Sequence, residues 1–192
     1  MKKVPCTNIK DTELVSKSLQ DADYFSCLYY RYEEKLTRYI RRISNISDEE
    51  TADILQESFI KIWKNLNEYD TDMALSSWIY RIVHNQTISY WRKLKSYGKD
   101  NKISFDEHFT NTEITGIDTS DILETEDKIQ HIIRMLPENY QSVLILKYFE
   151  EKNYEEISDI LRIPEGTVAT RLNRAKKAFY KLSKTEHISF FD

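Results

Sequence analysis

Residues Tyr154–Leu182 read YEEISDILRIPEGTVATRLNRAKKAFYKL, and the spacing of their apolar side chains indicates two helices. The apolar positions form two runs, first Ile157, Ile160 and Leu161, and then Val168, Leu172, Ala175, Phe179 and Leu182. Pro164 and Gly166 lie between the runs, where proline can start a helix but cannot continue one. The stretch therefore predicts a helix-turn-helix whose tight turn spans Leu161 to Glu165.

The second of these helices has a polar face rich in hydroxyl and basic side chains. This face carries Thr167, Thr170, Arg171, Arg174, Lys177 and Lys181. From Arg162 to Lys184 the only acidic residue is Glu165, although the whole chain has a net charge of -4. Hydroxyl and guanidinium groups can contact base edges and phosphates, so the face predicts binding in a DNA groove. A solvated basic face on an ordinary helical hairpin is the alternative interpretation.

Low glycine and proline contents favour a helical protein. The chain has 192 residues, of which 40% are hydrophobic and only 3 are Gly and 3 are Pro. This size allows two small cores, and we expect an all-α protein of two small helical domains. No stretch is long and apolar enough to span a bilayer, and no apolar run follows the N-terminal lysines. We therefore expect a cytoplasmic protein without direct membrane insertion.

Cysteine and histidine residues do not form a ligand pattern. Cys6 and Cys27 lack the spacing of a metal site, and the four histidines are scattered, so we expect neither a metal site nor a disulfide framework. The sequence also lacks a nucleophile paired with a base and a glycine loop for phosphate. We predict no catalytic residues, no cofactor and no enzymatic activity.

The first half of the chain contains two further amphipathic helices. Phe25 to Ile43 has aromatic and aliphatic residues at helical spacing, which favours core packing of its tyrosines over stacking on a ligand. Ser47 and Glu50 have the spacing of a capping box, and the helix after them should run to about Leu66. Its outer face combines polar side chains with an exposed isoleucine, which indicates either a docking surface or a solvated face.

One more helix and a linker complete the first domain and its connection to the second. Turn-forming residues 67–74 precede a helix that begins at Leu75. Residues 97–121 have no helical period and carry acidic residues without a lysine or arginine after Lys102, so we predict a flexible acidic linker. The predicted domains are residues 10–96 and 122–184.

Three segments together resemble a known family. They are DILQESFIKIWKNLNEYD (53–70), SSWIYRIVHN (76–85) and LPENYQSVLILKYFEEKNYEEISDILRIPEGTVATRLNRAKKAF (136–179). In this order they are similar to bacterial RNA polymerase sigma factors of the sigma-70 family, and the two-domain form resembles the extracytoplasmic-function (ECF) group. The resemblance implies that residues 10–96 form region 2, which binds core polymerase and opens the minus-10 element. Residues 122–184 would form region 4, which reads the minus-35 element.

The resemblance also implies three sets of binding residues. The resemblance assigns polymerase binding to Asp53, Gln56, Glu57 and Ile60. It assigns the capture of unpaired minus-10 bases to Ser76, Ser77, Tyr80, Arg81, His84 and Asn85. It assigns minus-35 recognition to Glu165, Gly166, Thr167, Ala169, Thr170, Arg171, Arg174 and Lys177. Arg162 stands where many relatives have a glycine or another small turn residue.

The expected function is a transcription initiation factor that directs core RNA polymerase to specific promoters. Its expected partners are core polymerase, duplex and single-stranded promoter DNA, and an anti-sigma factor, which in the family is often membrane-bound. The acidic linker would either thread near the polymerase active centre or act as a solvated tether. A conventional helix-turn-helix regulator with an N-terminal sensing or dimerising domain is the alternative, and it would bind duplex DNA alone. A regulator that sequesters a sigma factor by mimicry is a second alternative.

Overall fold

The computed structural model describes Cys6, residues 9–96 and residues 120–186, and these residues form eight α-helices. A first bundle contains α1 (Asp11–Gln20), α2 (Phe25–Ser44), α3 (Asp48–Lys64) and α4 (Leu75–Ser96). A second bundle contains α5 (Ser120–Arg134), α6 (Glu138–Tyr148), α7 (Tyr154–Leu161) and α8 (Glu165–Thr185). The predicted all-α architecture is confirmed. Most of the predicted linker, residues 97–119, lies outside the described residues.

The core of the first bundle is built around the apolar stripe of α2. Leu36, Tyr39 and Ile40 of this helix are fully buried and pack in one cluster with Ile62 of α3 and Ile79 of α4. A buried tyrosine normally needs a hydrogen-bond partner, and the Tyr39 hydroxyl lies 2.8 Å from Nδ1 of His84. The tyrosine at position 39 is therefore a core residue, as its helical spacing indicates.

Side-chain caps define where α3 and α7 begin. The Ser47 hydroxyl accepts a hydrogen bond from the Glu50 backbone, and the Glu50 carboxylate accepts one from the Ser47 backbone. Asn153 and Glu156 form the same reciprocal pair at the start of α7. These contacts satisfy backbone N–H groups that have no partner inside the helix. The capping box predicted at Ser47 is confirmed.

The helix-turn-helix of the second bundle is formed by α7 and α8 over the apolar helix α6. α7 ends at Leu161, and its C-cap residue Arg162 has a left-handed backbone with φ of 52°, a conformation that glycine adopts at lower cost. The Ser158 hydroxyl donates to the carbonyl of Ile163 at 2.6 Å and closes the turn. Pro164 then caps α8, whose buried side begins with Val168 and Leu172. The predicted turn between residues 161 and 165 is confirmed.

One expectation about the cysteines is wrong. Cys6 and Cys27 are joined by a disulfide, with their Cα atoms 5.2 Å apart. Cys27 is buried on α2. Ile9 and Asp11 also lie beside that helix, because the Arg31 guanidinium donates to the carbonyl of Ile9 at 2.9 Å and to the Asp11 carboxylate at 2.5 Å. Spacing along the sequence could not reveal this pairing because the contact depends on the chain folding back. Within the described residues, no helix is long and apolar enough to cross a membrane.

Candidate polymerase and nucleic-acid interfaces

The outer face of α3 is open to solvent. Leu55, Phe59 and Ile62 turn into the core, which leaves Asp53, Gln56, Glu57 and Ile60 exposed on the opposite side. Ile60 is 47% exposed, and the polar residues around it are available for charge-assisted contacts with a partner. The Glu57 carboxylate accepts a hydrogen bond from the Gln86 amide of α4, which orients this part of the face.

An aromatic groove lies beside that face and is not evident from the sequence. Phe25 and Tyr29 of α2 and Phe59 and Trp63 of α3 line a groove of about 700 Å³. The rings of Phe25 and Trp63 pack edge to face with centroids 4.9 Å apart, and Trp63 remains 42% exposed. Trp63 follows Ile60 by three residues, so helical spacing could have placed both on one side of α3. The polar outer face thus continues into an apolar surface.

The predicted minus-10 residues of α4 separate into three groups. Ser76, Tyr80 and Arg81 lie on the side of α4 that faces the second bundle, and each bonds a residue of that bundle. Ser77, at 0% exposure, and His84, at 8%, turn into the protein interior. Asn85 is exposed to solvent. The structure therefore brings only part of the predicted group together on one surface.

Burial changes the acid–base properties of the α4 residues. Burial, with a smaller contribution from Arg92, lowers the pKa of His84 to about 4, so the imidazole that bonds Tyr39 is neutral at pH 7. Burial and the nearby Glu150 carboxylate raise the pKa of Tyr80 well above its usual range. Burial also lowers the pKa of Arg81, but an arginine remains charged at neutral pH.

α8 is the second helix of the helix-turn-helix, and its polar side forms a continuous surface near its start. Glu165, Gly166, Thr170, Arg174 and Lys177 are exposed. Thr167, Ala169 and Arg171 are partly exposed on the same helix. The Thr170 hydroxyl donates to the carbonyl of Gly166 at 2.8 Å and keeps its acceptor capacity for a ligand. A Cβ added at Gly166 would meet no atom within 4 Å, so another molecule can approach the backbone closely there. Hydroxyl groups thus precede the cations along this helix.

Two bundles with these faces form the architecture of a sigma-type initiation factor, and comparisons with known proteins agree. Residues 28–97 match the family described as Sigma-70 region 2, and residues 126–179 match Sigma-70, region 4. The chain is 36% identical over 169 residues to the ECF RNA polymerase sigma factor SigW of Bacillus subtilis (strain 168), covering 84% of this chain and 89% of that protein. It is 30% identical over 184 residues to the ECF RNA polymerase sigma-E factor of Haemophilus influenzae, covering 88% and 93%.

Solved structures share the fold. CnrH, solved in complex with the cytosolic domain of CnrY, aligns with a TM-score of 0.67 and 18% identity over 90% of this chain and 96% of that chain. The sigma factor RpoE of Bartonella quintana, solved with the anti-sigma factor NepR, aligns with a TM-score of 0.64 and 18% identity over 83% and 96%. This chain belongs to the ECF RNA polymerase sigma factors of the sigma-70 family. Membership confirms that it is a transcription initiation factor and not an enzyme.

Proposed function

We propose that this chain binds core RNA polymerase through α3, captures the unpaired minus-10 strand with α4, and reads the minus-35 duplex with α8. The observation that supports this division most strongly is that three polar surfaces predicted from the sequence lie on three different helices of the two bundles. The sigma factor family, to which the chain belongs, has these three activities in this order along the chain. In this proposal the domains are residues 10–96 and 122–184, as the sequence predicts.

The polymerase-binding site comprises the outer face of α3 and the aromatic groove beside it. Asp53, Gln56 and Glu57 supply carboxylates and an amide that can pair with cationic side chains of a partner helix. Ile60 and Trp63 supply exposed apolar area, which favours a protein partner over a small ligand. Polymerase would therefore contact charged and apolar groups together.

The minus-10 site uses the polar side of α4 near its N-terminus. Ser76, Tyr80, Arg81 and Asn85 offer hydroxyl, aromatic, guanidinium and amide groups, which are the groups that hold unstacked bases. Ser77 and His84 have a supporting role in this proposal because both turn into the protein interior. Tyr80 is also only 3% exposed, but its hydroxyl is covered by Glu150 of the second bundle. The His84 imidazole fixes the Tyr39 hydroxyl and so the packing of α4 on α2.

The minus-35 site is the exposed start of α8. Thr167, Thr170 and Arg171 would contact base edges, and Arg174 and Lys177 would contact phosphates further along the helix, because all five are at least partly exposed. Glu165, Gly166 and Ala169 lie at the same end of the helix, where they would determine how closely α8 approaches the DNA groove.

An anti-sigma factor is the regulatory partner that we propose. Two structural neighbours were solved with such partners, CnrH with the cytosolic domain of CnrY and RpoE with NepR. At 18% identity, the similarity of these two proteins to this chain is in the fold. The working compartment that we propose is the cytoplasm, where the polymerase acts.

Transcription in vitro tests this function directly. Purified core polymerase from the native host should start transcription at specific upstream fragments only when the protein is added. The same fragments should show no tight complex with the protein alone, because the proposed factor acts with polymerase. Binding of duplex DNA without polymerase, together with no effect on initiation, would favour a conventional helix-turn-helix regulator.

A further inference from the structure

The disulfide between Cys6 and Cys27 joins a residue that precedes α1 to the first turn of α2. These are the only 2 cysteines of the sequence. Cys27 is 2% exposed, whereas Cys6 is partly exposed. The function proposed above places the chain in the cytoplasm, where thiol reductants keep most cysteines reduced and disulfides are usually transient and redox-sensing. The pairing therefore indicates a site of reversible oxidation.

The disulfide adds a covalent restraint to polar contacts that hold the start of α1 beside α2. The Asp11 carboxylate accepts from the Arg31 guanidinium at 2.5 Å and from the Tyr32 hydroxyl at 3.2 Å. The Arg31 guanidinium also donates to the carbonyl of Ile9 at 2.9 Å. The side chains of Arg31 and Asp11 are 27% and 40% exposed, so their ion pair contributes little by itself. The disulfide is thus the stronger restraint on this end of α1.

α1 in turn supports the turn that leads into α4. It packs against the short 3₁₀ helix Leu66–Glu68, which follows α3. The Tyr69 hydroxyl, next along the chain, donates to the carbonyl of Met73 at 2.5 Å. The Tyr69 ring packs on the Trp78 ring of α4, with centroids 5.5 Å apart. The restraint at Cys6 is therefore connected through α1 to the N-terminal end of α4, which carries the proposed minus-10 site.

Resting on the function proposed above, we propose that Cys6 and Cys27 form a reversible redox site whose disulfide favours promoter opening by holding α1 against the turn before α4. A restrained binding surface captures a DNA strand at a lower cost in entropy than a loose one. After reduction, α1 keeps its polar contacts but loses the covalent restraint, so Tyr69 and Trp78 are held less firmly. Oxidised protein is then the more active form.

Hydrogen peroxide and a dithiol can interconvert the two forms. In oxidation the thiolate of Cys6, the more exposed cysteine, attacks one peroxide oxygen, the O–O bond breaks, and hydroxide leaves. The Cys27 thiolate then attacks the sulfur of the sulfenic acid, which forms the S–S bond and releases a second hydroxide. Two thiols and one peroxide thus give one disulfide and two waters. In reduction a dithiol attacks Cys6, Cys27 leaves as a thiolate, and the second thiol of the reductant displaces Cys6.

Alkylation and thermal unfolding of the full-length protein test the redox site without polymerase. Hydrogen peroxide should protect both thiols of the folded protein from a maleimide reagent, and dithiothreitol should restore their reactivity. The oxidised protein should melt about 10 °C above the reduced protein, because the disulfide closes a loop between cysteines 21 positions apart in the unfolded chain. Cys6→Ser is the matched control, and it should melt like reduced wild type after either treatment.

Open-complex formation tests the effect on the promoter. Protein treated with peroxide or dithiothreitol is desalted, mixed with core polymerase and a promoter fragment, and probed with permanganate for unpaired thymines. Oxidised wild type should give at least about fivefold more open complex than reduced wild type. Polymerase binding should be equal for the two forms, because the outer face of α3 does not include the disulfide. Cys6→Ser should respond to neither treatment, which controls for effects on polymerase itself.

Three results would overturn the proposal. Thiols that stay reactive after peroxide treatment, or a disulfide that resists dithiothreitol in the folded protein, would show that Cys6 and Cys27 are not a reversible site. Equal open-complex formation by oxidised and reduced wild type would show that the disulfide does not act on the promoter. If neither form supports initiation at any promoter, the proposed function fails, whereas alkylation and melting still decide whether the two cysteines form a redox site.

Discussion

The outer face of α3 and the N-terminal half of α4 belong to one bundle, yet the first is open and the second is covered. On α3, Gln56 and Ile60 face solvent. On α4, Tyr80 and Arg81 contact the second bundle. The two surfaces have similar local chemistry, with polar residues on one side of an amphipathic helix. Their exposure differs because α7 and the turn before it pack on α4, and because the Tyr80 ring also packs against Tyr39 of α2.

This difference implies an order of events. A partner that binds the open face of α3 does not have to displace any part of the chain. In the proposed function, a DNA strand that binds Ser76 and Tyr80 must first displace Lys152 and Glu150. In a free chain the apparent affinity of a covered site is reduced by the fraction of chains in which the site is open. Polymerase binding would therefore precede strand capture.

The largest expected effect concerns the open face. Gln56→Ala combined with Glu57→Arg should weaken binding of core polymerase by about a hundredfold or more, because a charge reversal at the centre of an interface removes contacts and adds repulsion. Stability should change little because both side chains are exposed. Association is measured by fluorescence anisotropy with labelled protein. Glu34→Arg, a reversal on α2, is the control, and equal losses for both proteins would argue against the assigned face.

A smaller effect concerns a histidine buried beneath the covered side of α4. The pKa of His84 in the folded chain is about 4, against 6.5 for an ordinary histidine, so the unfolded chain binds this proton first as pH falls. Between pH 6.5 and 4 the free energy of unfolding should therefore decrease by about 3 kcal/mol from this residue alone. Denaturant titrations across this range should show a shallower pH dependence for His84→Gln than for the wild type.

The control for that experiment is Ser89→Ala, which changes an exposed residue of the same helix without removing a titratable group. It should keep the steep dependence of the wild type. If His84→Gln and the wild type had the same pH dependence, the imidazole would have to be solvated in the folded chain. That result would contradict the tight packing of α4 on α2 around Tyr39.

The polar side of α8 is exposed in the free chain, as the outer face of α3 is. Substitutions can distinguish residues of α8 that contact bases from residues that contact phosphates. Arg171→Ala should cost about 1 to 3 kcal/mol of promoter binding by the polymerase complex if the guanidinium contacts a base, with relaxed selectivity at one minus-35 position. Arg174→Ala should weaken binding similarly on all sequences, because phosphate contacts do not read bases. If Arg171→Ala weakened binding equally on all members of a promoter library, Arg171 would also be a phosphate contact.

Local patterns in the sequence predict the helices but not how the bundles meet. Apolar spacing, the Ser47 cap and the Pro164 turn each depend on neighbours within a few residues, so the sequence contains them directly. The Tyr80–Glu150 hydrogen bond joins residues 70 positions apart, and the Cys6–Cys27 disulfide depends on a segment folding back. Ser77 and His84 are predicted to contact unpaired bases, but both side chains are buried. More than one side of α4 is packed, so a polar residue of this helix can lie in the interior.

The smallest expected effect compares two equivalent caps, one on each kind of surface. Ser47→Ala and Asn153→Ala each remove the side-chain acceptor for the third backbone N–H of a helix, so each should lower the free energy of unfolding by about 1 kcal/mol. Of the two caps, only the one at Asn153 lies beside the covered face of α4. Its partner Glu156 accepts a hydrogen bond from Lys152 at 2.9 Å and lies 3.5 Å from the Ser76 hydroxyl.

Asn153→Ala should therefore enlarge the radius of gyration of the free chain, whereas Ser47→Ala should leave it unchanged. Both variants should bind polymerase as the wild type does, since neither residue lies on the exposed face of α3. Denaturant titration measures the shared loss of stability, and X-ray scattering measures the difference in compactness. If both variants remained equally compact, Glu156 would contribute nothing to the contact between bundles, and the covering of α4 would depend on Glu150 and Asp159.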